Sequence, residues 1–321
     1  MCSRISRYQQ RIYNFIESRS PYSTLVKDQN NKNIFGTNDH ESSLMLLSIF
    51  NGLRKEKKFK SHDAYYIAAG TDLLMVISMI RDNFEYYKFK YGDNNINNIV
   101  SQAPAYVFEC LSKNLESMSH IVEKDKIVKI QSKIYAYFNQ KMLVITKTEN
   151  IQPTEKPKKT DIIRYRFNNN NIINLKYKKL KIFNKESLIT YVNNKYGAVC
   201  QCAFVIGWML GTGDDKQIPQ LEELGKHFGM VIKLSNDFKN LESDIENSRG
   251  FTYNMIVNYG IHNCFAMFDE SKLKILEICI SLNIYSTVVK ETVDYIEKKF
   301  ETYLKNTDLE LNSVYTSFSD A

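Results

Sequence analysis

The sequence predicts an all-α fold in a single domain, and three observations carry that expectation. Only 12 glycines and 5 prolines interrupt 321 residues, so long helices can run unbroken. Apolar residues recur at helical spacing through most of the chain, and runs of period two are few. A hydrophobic fraction of 43%, with 21 tyrosines and 18 phenylalanines, supplies a substantial core. No apolar run reaches the roughly 18 residues that would mark a membrane span.

Taken in order, residues 1–20 (MCSRISRYQQRIYNFIESRS) stand apart. Arg4, Arg7, Arg11 and Arg19 face a single acid, Glu17, among four serines, and Ile5, Tyr8, Ile12 and Phe15 recur at helical spacing. An Arg- and Ser-rich amphipathic start reads either as an organellar targeting leader or as a frayed first helix of the fold. The main domain is then 21–321. Helices are expected near 42–56, 62–88, 97–119, 124–146, 186–209, 219–247, 251–266 and 270–305. The second of these holds Ala68, Ala69 and Gly70, a small-residue face suited to tight packing.

Residues 148–182 break the pattern. Pro153, Pro157, an asparagine tract and a lysine-rich run read as a polar insertion between helices. It is not a domain linker, because neither side alone shows a complete fold. Between Lys156 and Lys185 stand ten basic residues against one acid, Asp161, more than the whole net charge of +7, so the rest of the chain is slightly acidic. The insertion lacks a recognisable nucleic-acid reading module, and no nucleic-acid partner is expected. A lysine-rich loop is most often simply solvated, although an anion-binding scaffold built on it is one functional reading.

The six cysteines form no CxxC pair, which points to buried thiols in a reduced compartment. The five histidines show no pairing either, and His227 reads as packing locally. Asp214 and Asp215 read as a turn or helix start.

One helix asks for a functional explanation. In GKHFGMVIKLSNDFKNLESDIE, residues Lys226, Lys233, Asp237, Asn240 and Asp244 fall on one line at about 100° per residue, with Asn236 beside it. Leu224, Val231, Phe238 and Ile245 lie opposite. Lys239 and Glu242 occupy a second polar sector that also needs water. Two separated polar faces imply that one is turned inward, towards a polar cavity. Oxygen ligands at i, i+4 and i+8 stack about 5–6 Å apart, close enough to share a Mg²⁺.

This run resembles the second aspartate-rich region of trans-isoprenyl diphosphate synthases, G-x-x-F-Q-x-x-D-D-x-x-D. Lys233 then takes the glutamine position, Asn236 and Asp237 the aspartate pair, and Asn240 the third aspartate. Upstream, YVNNKYGAVCQCAFVIGWML is similar to the helix bearing the family's diphosphate-binding Lys-Thr, with Lys195 at the lysine and Tyr196 at the threonine. Arg249 sits where a lysine commonly follows. The first aspartate-rich motif falls at MIRDNFEYY, with Arg81, Asp82 and Glu85 in the three aspartate positions. No GGKxxR precedes residue 50, and Pro104-Ala105 stands where the family has Gly-Asp. The resemblance covers roughly residues 42–300.

It implies an isoprenoid-synthase-type bundle around a central cavity. Its losses are closest to the non-catalytic second subunit of long-chain (solanesyl or decaprenyl) diphosphate synthases, which also shows an arginine at the first motif. On that reading the chain serves ubiquinone side-chain synthesis as the partner of a catalytic subunit, or as a self-dimer, and handles prenyl diphosphates. Its compartment would be the mitochondrion, otherwise the cytoplasm. The charge argument favours lost catalysis. Arg81 for a carboxylate changes local charge by two units, each interacting by about 4 kcal/mol at ~4 Å and effective dielectric ~20. Such a penalty on metal binding slows diphosphate ionisation by orders of magnitude.

An active Mg²⁺-dependent short-chain synthase or a terpene-synthase-like lyase is the competing enzyme reading. N-D-x-x-N-x-x-x-D loosely echoes the terpene synthase metal motif. In that case Asp82, Glu85, Asp237, Asn240 and Asp244 would be the metal ligands.

Overall fold

Few helix-breaking residues and a near-continuous apolar pattern give a stack of helices around a buried centre. The computed structural model describes residues 4–25, 27, 40–53, 64–82, 84–119, 124–148, 183–241, 244 and 253–306. Its elements are α1 (Arg4–Arg19), α2 (Glu41–Leu53), α3 (Tyr65–Asp82), α4 (Phe84–Tyr91), α5 (Asp93–Met118) and α6 (Lys124–Lys147). In the second half come α7 (Lys185–Val192), a π-helical turn (Asn193–Gly197), α8 (Ala198–Leu210) and a 3₁₀ turn (Asp215–Gln217). They are followed by α9 (Ile218–Lys239), α10 (Met255–Tyr259), α11 (Ile261–Ser281) and α12 (Thr287–Asn306). The fold class read from the sequence is the fold found. No helix among the described residues is long and apolar enough to cross a membrane.

α8 is the centre. Every residue from Ala198 to Leu210 is buried, which accounts for its lack of charge. α2, α6 and α9 pack on it, and α3 joins from the side. Two close approaches set the spacing. A Cβ on Gly207 would lie 2.8 Å from the Leu46 carbonyl oxygen of α2. One on Gly229 of α9 would lie 2.5 Å from the Gly197 nitrogen at the end of the π turn. The small-residue face of α3 also does what its sequence implies, with a Gly70 Cβ only 3.2 Å from Cys110 Cβ of α5.

α1 docks on the body through Ile5, Ile12 and Ile16, all buried, and Phe15 meets Tyr65 and Tyr66 edge-on. Just after it, Tyr22 is fully buried and donates its hydroxyl to the Ala69 carbonyl at 2.8 Å. A second polar knot locks α2 to α3. The Asp72 carboxylate accepts from Ser42 Oγ at 2.6 Å and the Ser43 amide at 3.2 Å, and pairs with His40 Nδ1 at 2.6 Å.

Some boundaries differ from expectation. The helix read as 62–88 divides into α3 and α4, which the apolar period does not reveal because the aromatic residues of α4 continue the same spacing. The helices read as 251–266 and 270–305 break instead at Gly260 and after Leu282. Gly260 has φ 79°, a left-handed conformation open to glycine. At the end of α11, Asn283 has φ 55° while its amide donates to the Ile280 carbonyl and the Ile284 amide to that of Cys279. That is a Schellman stop with asparagine in place of glycine. α9 ends at Lys239 with a turn at Asn240, while Leu241 and Asp244 are again helical and the rest of the helix read as 219–247 lies outside the described residues. The polar insertion, apart from Thr148, lies outside the described residues.

Candidate functional site

Three helices bring polar side chains to one buried point. Asp82 is the last residue of α3, Tyr191 lies on α7, Lys195 and Tyr196 lie on the π turn, and Lys233 and Asp237 lie on α9. Adjacent residues of a regular α-helix point about 100° apart. The wider π turn lets neighbours Lys195 and Tyr196 both reach the same carboxylate.

Both oxygens of Asp82 are saturated. Oδ1 accepts from the Tyr191 hydroxyl and from Lys195 Nζ at 2.6 Å. Oδ2 accepts from the Tyr196 hydroxyl, and Lys233 Nζ lies 3.3 Å away. Lys195 also donates to Tyr191 Oη at 2.6 Å. On the far side, Lys233 Nζ is 2.7 Å from Asp237 Oδ1, and Asp237 Oδ2 accepts from the Met255 amide at 2.8 Å. Asn254 then ties in the chain beyond α9. Its Nδ2 donates to the Asp237 carbonyl at 2.9 Å and to Asp244 Oδ2 at 2.8 Å, while its Oδ1 caps α10. Tyr253 stacks on Tyr191, with centroids 4.3 Å apart, and closes one side of the cluster.

The electrostatics follow from this wiring. Burial pushes Asp82 up, but the Lys195 and Lys233 ammoniums and the Tyr191 hydroxyl outweigh it and hold the carboxyl well below its ordinary range. Burial pulls Lys195 down, Asp82 works against that, and Lys233 and Arg81 reinforce it. Burial acts in the same sense on Lys233, yet Asp237 and Asp82 prevail and raise it. Asp237 is pushed up to about 7 by burial, with Asp244 adding to it and Lys233 opposing. Asp244 is pushed up to about 6, again by burial first.

The positions singled out in the sequence fall into three groups. Asp82, Lys195, Lys233, Asp237 and Asp244 converge. Arg81 and Asn236 are half-buried at the margin, and Asn240 caps the C-terminus of α9. Arg249 and the side chain of Glu85 lie outside the described residues. The row on α9 is therefore an inward face at Lys233 and Asp237, each 3% exposed, while Lys239 on the other polar sector meets solvent. Tyr191 and Asn254 were not legible as site residues. Tyr191 stands four residues before Lys195, a spacing that puts both on one helix face and was there to be used.

Mg²⁺ asks for oxygen ligands in near-octahedral array, and this donor set does not fit it. One ammonium and two phenols already donate to Asp82, and the Lys233 ammonium stands 3.3 Å from it. Among the described residues no three acidic, histidine or cysteine side chains gather closely enough to hold a metal ion. His227 makes local contacts with Glu223 and Ser271, Asp214 caps the 3₁₀ turn, and Cys200 and Cys202 are core residues.

No family model matches the chain, and no curated protein matches it. Solved structures do. A geranyltranstransferase from Thermotoga maritima aligns over 91% of this chain and 97% of its own, with TM-score 0.56 and 14% identity. An FPP/GFPP synthase from Zymomonas mobilis aligns over 92% and 98%, with TM-score 0.59 and 10% identity. A heterotetrameric geranyl pyrophosphate synthase from mint aligns over 92% and 99%, with TM-score 0.52 and 13% identity. The fold is that of the trans-prenyl diphosphate synthases. At such identities the likeness is one of fold, and the chemistry has to be argued from the side chains.

Proposed function

We propose that this chain is a prenyl diphosphate synthase-like protein that has given up the metal-dependent ionisation step and serves as the partner subunit of a catalytic prenyltransferase. One observation carries the reading: among the described residues, Asp82 accepts from Tyr191, Tyr196 and the Lys195 ammonium, with the Lys233 ammonium 3.3 Å away. A carboxylate spent on internal lysines is a poor ligand for the Mg²⁺ that would stabilise a departing diphosphate. The fold supports the second half of the proposal, since one of its solved relatives is heterotetrameric. A role in making the polyprenyl tail of a quinone such as ubiquinone belongs to the same proposal.

The test uses the full chain, alone and co-expressed with an intact DDxxD-bearing synthase. Alone, it should not elongate isopentenyl diphosphate with Mg²⁺. Co-expressed, it should co-purify and change the synthase's rate or product length. Turnover by the lone chain on the order of 0.1 s⁻¹ or faster, inside the ordinary enzyme range, would defeat the proposal. So would a self-dimer that leaves the synthase untouched.

A further inference from the structure

Lys233 lies where carboxylates from two facing helices converge. Its Nζ is 2.7 Å from Asp237 Oδ1 on its own helix and 3.3 Å from Asp82 Oδ2 on α3. All three side chains are nearly closed to solvent, between 4% and 5% exposed, so bulk salt cannot supply their counter-charge. Asp244 stands behind, linked to Asp237 through the Asn254 amide. Two carboxylates brought this close on opposite walls need a cation between them once both are ionised.

We propose that the Lys233 ammonium is a built-in substitute for a divalent cation, joining Asp82 of α3 to Asp237 of α9 so that the protein closes this site without metal and keeps metal out. The bridge is made by distance alone, since one Nζ lies 3.3 Å from Asp82 on α3 and 2.7 Å from Asp237 on α9. Lys195, Tyr191 and Tyr196 complete the exclusion by occupying the other lone pairs of Asp82. An ordinary buried ion pair would make no promise about metals. This one does, because removing the tethered cation leaves Asp82 and Asp237 as a pair of buried carboxylates with no ammonium between them. The inference rests on these side chains alone, and it stands or falls separately from any partner subunit.

The experiment compares wild type with Lys233→Gln by thermal unfolding, with and without about 10 mM Mg²⁺ at matched ionic strength, where a site of sub-millimolar affinity is saturated. Mn²⁺ binding followed by electron paramagnetic resonance counts ions per chain. Wild type should bind no Mn²⁺ and keep its Tm within about 1 °C on adding Mg²⁺, while Lys233→Gln should melt lower and recover by roughly 3 °C or more. Lys233→Met, whose side chain offers no amide to the carboxylates, should show the same recovery. Specific Mn²⁺ binding by wild type would overturn the inference. So would variants that fold yet gain nothing from Mg²⁺, or that stay unfolded whether or not it is present.

Discussion

Asp82 and Asp237 are buried carboxylates on facing helices, yet their surroundings drive them in opposite directions. Asp82, ringed by two ammoniums and two hydroxyls, is held below its ordinary range, so its contribution to stability is present above pH 4 or so and is lost only in acid. Asp237, raised to about 7, and Asp244, raised to about 6, behave in the opposite sense. Their folded forms hold a proton more tightly than the unfolded chain does, so that stability is full below about pH 4 and drains away as pH climbs towards 7. Asn at position 237 mimics the protonated acid and cannot titrate. Urea unfolding of Asp237→Asn against wild type should therefore swing in favour of the variant between pH 5 and pH 8. A constant difference across that window would mean that Asp237 is ionised throughout. At this scale the sequence was partly readable. The spacing of Lys233 and Asp237 placed them on one line, and the second polar sector implied that this line faced inward. Asn240 shares the line and Asn236 lies beside it, but both are half-buried and neither joins the cluster. Asn254 could be read as a helix cap, but its span from Asp237 to Asp244 depends on the path of residues between them, which no periodicity encodes.

At the scale of elements, backbone proximity decides the geometry. α9 reaches the π turn only because Gly229 and Gly197 meet without side chains. Gly229→Ala forces a Cβ to within 2.5 Å of backbone, which cannot rotate aside as a side chain would. The variant should lose about 1–3 kcal/mol in urea unfolding, the usual cost of overpacking. Gly52, in the last turn of α2, has nothing within 4 Å of its Cβ position. Gly52→Ala should be neutral or should gain up to about 1 kcal/mol from helix propensity, giving a control of opposite sign. Equal effects at the two positions would sink the argument from proximity. Helix existence was legible throughout from the 3.6-residue period. Stops were not, because Asn283 and Gly260 end helices through left-handed backbone that a count of apolar residues does not register. The π turn was hidden because α8 beyond it is apolar and buried on every side, so the one-residue shift leaves no mark in the period.

Across the whole molecule, the contacts of the site join the two halves of the chain. Tyr191 meets Asp82 over a separation of 109 residues, and Lys195 meets it over 113. The polar insertion lies inside that interval, between Thr148 and Phe183, both of which are anchored in the body. Replacing residues 149–182 by a short Gly-Ser linker should leave Tm within a few degrees, since loop length enters stability only as a logarithm, about 0.6 kcal/mol per doubling. A fall of more than about 8 °C, over roughly 2 kcal/mol for a chain this size, would place the segment in the fold. The overall architecture was legible from composition and period because one buried helix, α8, organises the rest. The meeting of the halves was legible only through the family resemblance, since no local pattern in either half announces the other.

That meeting also bears on the order of events as the chain folds. The donors described around Asp82 all come from the second half of the chain, so the first half alone lacks them. Closing an interval of more than a hundred residues is slow and entropically costly, and its reward comes only when Tyr191, Lys195, Tyr196 and Lys233 arrive together. On a ribosome that moment falls after residue 233 has emerged, leaving the end of α3 hydrated through much of synthesis. The Asp82 carboxylate is therefore enclosed only once both halves of the chain are present.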